Sequence, residues 1–147
     1  MIDTRGETER VEALRLQQLG EDWIRAIQEG ALDRLAQFCS PKITGRLLLP
    51  GGLVTLNNVG DLIAEYRDWF GGYSSIQVKA SRVGRVGSKL GIFYSLLLGD
   101  GRTLERIEQQ LYCIVKDGRV QQLHLVCSGF HPAETDDQPQ APDPMPG

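Results

Sequence analysis

Apolar residues recur at helical spacing in the first part of the chain. One stripe, at three- and four-residue steps, is formed by Leu16, Leu19, Trp23 and Ile27. This stripe predicts an amphipathic helix over residues 7–29, which Gly30 ends. A second, shorter helix is predicted over residues 31–39, because Pro41 cannot continue it.

Two short strands and a third helix follow. Residues 43–49 and 53–56 are mostly aliphatic and flank a Pro-Gly-Gly segment, so we predict two strands joined at that turn. The third helix is predicted from residue 58 or 60 to residue 70. It closes at Gly71-Gly72, since glycine reaches the left-handed conformation of a helix C-cap without strain.

From Ile76 onward the apolar residues alternate with polar ones, which is typical of strands. Four long strands are predicted, over residues 76–86, 90–98, 103–116 and 119–129. Asp-Gly pairs supply the positive backbone angles that tight hairpins need. The order of elements predicts an α+β domain with a cone shape: three N-terminal helices packed on a strongly curved antiparallel sheet, with a hollow between them.

The length of 147 residues is enough for one ordinary domain, which we predict over residues 1–132. Residues 133–147 hold four prolines, four acidic residues and no Lys or Arg, so we predict a disordered acidic, Pro-rich tail. No run of about 18 apolar residues occurs, so no membrane span and no membrane partner are expected.

Charge argues against a nucleic-acid partner. The chain has 16 Lys and Arg against 19 Asp and Glu, but without the four acidic residues of the tail it is nearly neutral. A neutral body produces little field for attracting a polyanion. The densest basic stretch holds Lys79, Arg82, Arg85 and Lys89. A solvated strand edge accounts for it better than a nucleic-acid site.

The three cysteines predict a reducing compartment. They form no CxxC motif and cannot all pair, which favours free thiols. The first residues are acidic and lack the apolar block of a secretory signal. We therefore expect a cytoplasmic protein.

The turn at Asp117-Gly118 allows a register to be derived for the last hairpin. A two-residue turn pairs Lys116 with Arg119 and sets Tyr112 opposite Leu123. One face then carries Arg106, Glu108, Gln110, Tyr112, Ile114, Leu123, Leu125 and Cys127. Both faces are apolar enough to be covered, so we expect one to line the hollow and the other to form a homodimer through the sheet. A β-bulge would exchange the faces.

The chain resembles the SnoaL-like branch of the NTF2-like superfamily. The resemblance covers residues 7 to about 130 and is carried by LLLPGG and VTL, YRDWFGG and VKDGRVQQLHL, in that order. Some segments, such as CSGFHP, also resemble a bacterial subgroup that brings no function with it. The resemblance implies a small α+β cone, often dimeric. The superfamily includes polyketide cyclases, ketosteroid isomerases, dehydratases, epoxide hydrolases and members without activity.

The same resemblance implies where catalytic acids should stand. Cyclases and epoxide hydrolases of this type place an Asp on the last strand, seven residues after the turn glycine, which falls at Leu125. The Arg-x-Asp pair of the epoxide hydrolases falls near Ile92 and Tyr94. None of these residues is charged. We therefore expect a small-molecule-binding domain with an apolar pocket that lacks the usual catalytic Asp.

The expected ligand is a small apolar or ring-shaped molecule. The pocket is predicted to be lined by Trp23, Tyr66, Trp69, Tyr94, Gln110, Tyr112, Leu123, Leu125 and Cys127. No cofactor and no metal are expected, because the cysteines and histidines do not converge on one face.

Two other functions remain open. The first is a cyclase, a ketosteroid isomerase-like enzyme or a dehydratase, with Glu108 or Asp22 as general base and a tyrosine as oxyanion donor. In that case Glu108 must face the hollow, whereas an ion pair with Arg106 would leave it structural. The second is a protein-interaction module that uses the sheet face or the tail.

Overall fold

A computed structural model describes residues 5–133 and confirms the α+β class. The elements are α1 (Arg5–Gln28), a 3-10 helix (Leu32–Phe38), β1 (Cys39–Leu49), β2 (Gly52–Leu56), α2 (Val59–Phe70), β3 (Ser75–Val86), β4 (Lys89–Gly99), β5 (Leu104–Lys116), β6 (Arg119–Cys127) and β7 (His131–Pro132). The predicted tail lies outside the described residues, apart from Ala133.

The three expected helical segments are present, and two of their details differ. The second segment is a 3-10 helix of seven residues. The third, α2, follows β1 and β2, so only two helices precede the first strand. Asn58 caps α2 through its side-chain oxygen, which accepts a 2.9 Å hydrogen bond from the backbone N–H of Asp61.

The seven strands form one curved, mostly antiparallel sheet in the order β2-β1-β6-β5-β4-β3, with β7 paired to β5. The pairing of β1 with β6 is parallel, which corrects the expectation of a wholly antiparallel sheet. It arises because the chain crosses from β1 through α2 and three further strands before β6 returns beside it. Strand β3 forms one edge of the sheet.

Helix α1 packs against β3 and β4 at very close range. The close approach is at Gly20, where an added Cβ would lie 2.4 Å from Cγ1 of Val83. Only glycine allows the helix backbone to come this near to the strand. The buried core between the helices and the sheet then includes Trp23, Ile27 and Leu62.

The last hairpin contains a β-bulge that changes its register. Lys116 pairs with Arg119 as expected, but Ile114 pairs with Gln122, so Gln121 is an extra residue without a cross-strand partner. Beyond the bulge, Tyr112 lies opposite His124 instead of Leu123. The predicted register is therefore wrong beyond the first two pairs. On β5 the buried side chains are the odd-numbered ones.

Among the described residues, no helix is both long and apolar enough to span a membrane.

Candidate functional site

Aromatic side chains fill the space between the helices and the sheet. Trp23, Tyr66 and Tyr94 have no solvent-accessible surface. The ring centroids of Trp23 and Tyr66 lie 5.9 Å apart, and those of Tyr66 and Trp69 lie 5.0 Å apart. A side chain without accessible surface borders no space that could hold even a water molecule. The hollow expected at these positions is therefore occupied by the protein's own side chains.

A chain of hydrogen bonds runs through this core from α1 to β6. Nε1 of Trp23 donates to the hydroxyl oxygen of Tyr66 at 3.2 Å, and the hydroxyl oxygens of Tyr66 and Tyr94 lie 2.8 Å apart. The Tyr94 hydroxyl donates to Oε1 of Gln109 at 2.5 Å. Nε2 of Gln109 then donates to Sγ of Cys127 at 3.4 Å. All these groups are buried.

The direction of every proton in this chain follows from its ends. An indole nitrogen only donates, so Tyr66 accepts from Trp23 and must use its own proton elsewhere. The Tyr94 hydroxyl donates its hydrogen bond to Gln109, so it accepts one from Tyr66. Each hydroxyl thus donates once and accepts once, and the chain needs no further partner.

Burial keeps these groups in their neutral forms. It raises the pKa of the Tyr66 hydroxyl well above its ordinary value, although the hydrogen bond from Trp23 partly opposes the rise. Burial and the neighbouring Tyr66 raise the pKa of Tyr94. Burial also raises the pKa of the Cys39 thiol to about 12. At neutral pH the two tyrosines and this thiol are therefore uncharged.

The described part of the chain has no buried carboxylate. Its buried polar side chains are those of Ser95 and Gln109. Glu108 lies on the outer face of the sheet, with half of its side chain exposed, and its Oε1 is 3.3 Å from a guanidinium nitrogen of Arg106. The expectation that Glu108 faces the interior was wrong, because the bulge at Gln121 reverses the faces of β5 relative to β6.

Asp22 lies on α1 at the protein surface. Its Oδ1 accepts a 2.8 Å hydrogen bond from Nε2 of Gln18 and lies 3.2 Å from a guanidinium nitrogen of Arg25. A third of its side chain is exposed. Both partners are on the same helix, so Asp22 does not reach the buried tyrosines by any hydrogen bond of the described residues.

The other predicted lining residues divide between the two faces. Leu123, Leu125 and Cys127 are buried on the inner face, as expected, whereas Gln110 and Tyr112 are exposed on the outer face. The inner residue that sequence reasoning missed is Gln109, which pairs with Tyr94 across β4 and β5. The alternation on β5 alone contained a signal, since from residue 106 onward its odd-numbered side carries no charge and its even-numbered side carries Arg106, Glu108 and Lys116.

A groove of about 570 Å³ opens between α1 and the turn that joins β5 to β6. Its apolar floor is formed by Leu16, Leu19 and Val115. Its polar rim is formed by Glu12, Arg15, Gln18, Asp22 and Asp117. This volume falls within the range of small-molecule sites in proteins, and the mixture of an apolar floor with a few polar groups is typical of them.

The outer face of the sheet carries a row of exposed apolar side chains. Leu53 lies opposite Leu48, which lies opposite Val126 on the next strand. Their exposed fractions are 58%, 51% and 48%. In the neighbouring row, His124 lies between Arg46 and Tyr112. Exposed aliphatic side chains in adjacent positions of three strands are unusual for a surface that faces only water.

Within residues 5–133, no three His, Cys, Asp or Glu side chains converge in a way that could hold a metal ion. Cys39, Cys113 and Cys127 are buried free thiols.

The comparisons with known proteins identify the fold. No family model and no curated protein matches the sequence. Among solved structures, an LEH-like epoxide hydrolase of M. tuberculosis is similar at a TM-score of 0.62 and 16% identity, covering 80% of this chain and 85% of that one. A "putative polyketide cyclase" of Xanthomonas campestris is similar at a TM-score of 0.63 and 14% identity, over 78% and 90% of the two chains.

A third similar structure is the "putative ketosteroid isomerase" of Kribbella flavida, at a TM-score of 0.60 and 19% identity, covering 92% of this chain and 86% of that one. All three have the NTF2-like fold. This chain has the same fold, as its sequence motifs predicted.

Proposed function

We propose that this chain is a small-molecule-binding domain that takes an apolar ligand in the groove between α1 and the β5–β6 turn. The observation that carries the proposal is the groove itself, with its apolar floor of Leu16, Leu19 and Val115. A ligand with a ring-shaped apolar body would cover this floor, and its polar group would meet the rim.

Two further observations bear on the proposal. No carboxylate lies in the described core, so the interior lacks a carboxylate general base for proton transfer from a carbon atom. The similar structures bear the names of an epoxide hydrolase, a polyketide cyclase and a ketosteroid isomerase, and each name refers to a small organic compound. A related ligand class suits a groove of about 570 Å³ in this chain.

The test is a titration with N-phenylnaphthylamine, a neutral probe whose fluorescence rises in apolar sites. We expect saturable binding that Leu19→Arg abolishes, because the new charge would occupy the floor of the groove. Leu14→Arg is the matched control, since Leu14 is exposed on the same helix and does not line the groove. Equal binding by both variants would contradict the proposal.

Proton transfer by Asp22 is the second candidate, because its carboxylate stands on the rim of the same groove. A cyclase, isomerase or dehydratase reaction would use it as the base. Asp22→Asn keeps the size of the side chain and removes the base. If the wild type turns over a cyclic ketone with an acidic α-proton and Asp22→Asn does not, this second function replaces the first.

We also propose that the chain forms a homodimer through the outer face of the sheet. The exposed apolar row of Leu53, Leu48 and Val126 would be buried against the same row of a second copy in a two-fold interface. Sedimentation equilibrium should give the mass of two chains. Val126→Lys should give one chain, whereas Leu14→Lys, which adds the same charge on α1, should leave the dimer intact. A monomeric wild type would instead favour a different protein partner on this face.

A further inference from the structure

A second groove lies on the outer sheet face beside the apolar row of Leu53, Leu48 and Val126, since its residue Gln110 lies opposite Val126. Its residues carry an inference independent of the ligand proposed for the α1 groove. The groove measures about 320 Å³ and opens where β3, β4 and β5 lie side by side. Two cross-strand rows form it. One row is Gln110, Phe93 and Arg82, and the other is Tyr112, Gly91 and Gly84.

The depth of the groove comes from a pair of glycines. Gly84 and Gly91 lie opposite each other on β3 and β4. A Cβ added at Gly84 would meet no atom within 4 Å, so the missing side chain leaves open space above the sheet backbone. A residue with a side chain at these two positions would fill the floor beside Tyr112.

The cation of the groove has no side-chain partner among the described residues. Arg82 is exposed, and within residues 5–133 its side chain makes no hydrogen bond and no ion pair. Arg85 also borders the groove, but it lies opposite the buried Leu90 and so has the other face of β3. No carboxylate of residues 5–133 lines the groove. An unopposed guanidinium favours an anion, and its planar fork matches a carboxylate.

Aromatic side chains form the walls. Phe93 is half-buried and Tyr112 is 38% exposed, so both present ring surface to the groove. The Tyr112 hydroxyl donates to Oε1 of Gln110 at 3.4 Å, which leaves the Nε2 protons of Gln110 available to a ligand. A flat ligand ring between Phe93 and Tyr112 would stack on their rings. The Gln110 amide would then lie beside the substituents of the ligand ring.

We propose that this groove binds a planar aromatic carboxylate. The ring would pack between Phe93 and Tyr112 above Gly84 and Gly91, and the carboxylate would meet the guanidinium of Arg82. A volume of about 320 Å³ suits a ligand of one or two fused rings. The basic stretch of β3, which the sequence suggested to be only a solvated edge, would thereby contribute to ligand binding.

The test uses naphthoate as the probe and naphthamide as its neutral counterpart, followed by titration calorimetry and by amide chemical shifts of the labelled protein. We expect naphthoate to bind at least about tenfold more tightly than naphthamide, with the largest shifts at Gly84, Gly91 and Tyr112. Arg82→Gln should weaken naphthoate binding by about three- to tenfold and leave naphthamide binding unchanged.

Lys79→Gln is the matched control, because Lys79 is an exposed cation on the same strand and does not line the groove. It should change naphthoate binding less than about twofold. Three results would overturn the proposal: no saturable binding of naphthoate, equal binding of naphthoate and naphthamide, or a loss with Lys79→Gln as large as with Arg82→Gln. None of these results bears on the α1 groove, since its lining residues are different.

Discussion

The hydroxyl of Tyr94 donates a 2.5 Å hydrogen bond to the side-chain oxygen of Gln109 on the adjacent strand. Both side chains are fully buried. This bond fixes the amide of Gln109, so that its nitrogen points to Cys127. Gln109 is therefore the residue that joins the aromatic core to the last strand.

We predict that Gln109→Leu lowers the free energy of unfolding by about 1–3 kcal/mol, because Tyr94 loses the acceptor of its buried proton. Gln110→Leu is the matched control. It is the same substitution one residue further along β5, on the exposed face, and should change stability by less than about 0.5 kcal/mol. Urea denaturation at neutral pH measures both. A larger loss for Gln110→Leu would mean that the faces of β5 are reversed.

Stability should fall as the pH rises above about 9. Burial raises the pKa of the Cys39 thiol from 9.0 to about 12, so between these values the unfolded chain loses the proton and the folded chain keeps it. The unfolded state then binds fewer protons, and stability decreases with pH by up to about 1.4 kcal/mol per pH unit for each such group. The buried Cys113 thiol contributes in the same direction.

Urea denaturation across this alkaline range measures the slope with which the free energy of unfolding falls as the pH rises. Cys39→Ala should reduce it, even though the variant is less stable at neutral pH. Tyr66 adds a further decrease above its ordinary pKa of 10.0. A slope that is unchanged in Cys39→Ala would show that other groups cause the loss.

Gly45→Ala should be strongly destabilising. A Cβ at this position of β1 would lie 1.8 Å from the backbone oxygen of Leu123 on β6, and backbone cannot move aside as a flexible side chain can. We expect a loss of about 3 kcal/mol or more. Gly84→Ala on β3 meets nothing within 4 Å and should be neutral or slightly stabilising. Thermal denaturation of the two variants tests the parallel pairing of β1 with β6.

Glu108→Gln should leave stability almost unchanged. Its ion pair with Arg106 is half exposed, and pairs of this kind contribute less than about 1 kcal/mol. The same variant should bind N-phenylnaphthylamine as the wild type does, since Glu108 does not line the α1 groove. A loss of probe binding would indicate that Glu108 has a role at the site after all.

The sequence predicted the elements well because each depends on local pattern and turn chemistry. The α1 stripe, the Pro-Gly-Gly turn between β1 and β2 and the Asp-Gly turn before β6 are all visible within a few residues. The fold also followed from the order of motifs. The parallel pairing of β6 with β1 could not be predicted, because β1 lies about 80 residues away and no local signal links distant strands.

The candidate site was harder to predict than the fold, and one residue explains much of the difference. Gln121 is unpaired, and its Nε2 donates to the carbonyl oxygen of Lys116 at 3.4 Å. Nothing in a period-two pattern distinguishes a bulge residue from an ordinary strand residue. The derived register therefore placed Glu108, Gln110 and Tyr112 inside.

The bulge also bears on how this gene can vary. Gln121 is the residue in excess of a regular hairpin, because Val120 and Leu123 both face the core with two residues between them. Loss of the single codon for Gln121 would leave Ile114 opposite Gln122 and Cys113 opposite Leu123, so both strands would keep their present faces. Homologues of this chain that lack position 121 should therefore have the same inner and outer residues on β5 and β6.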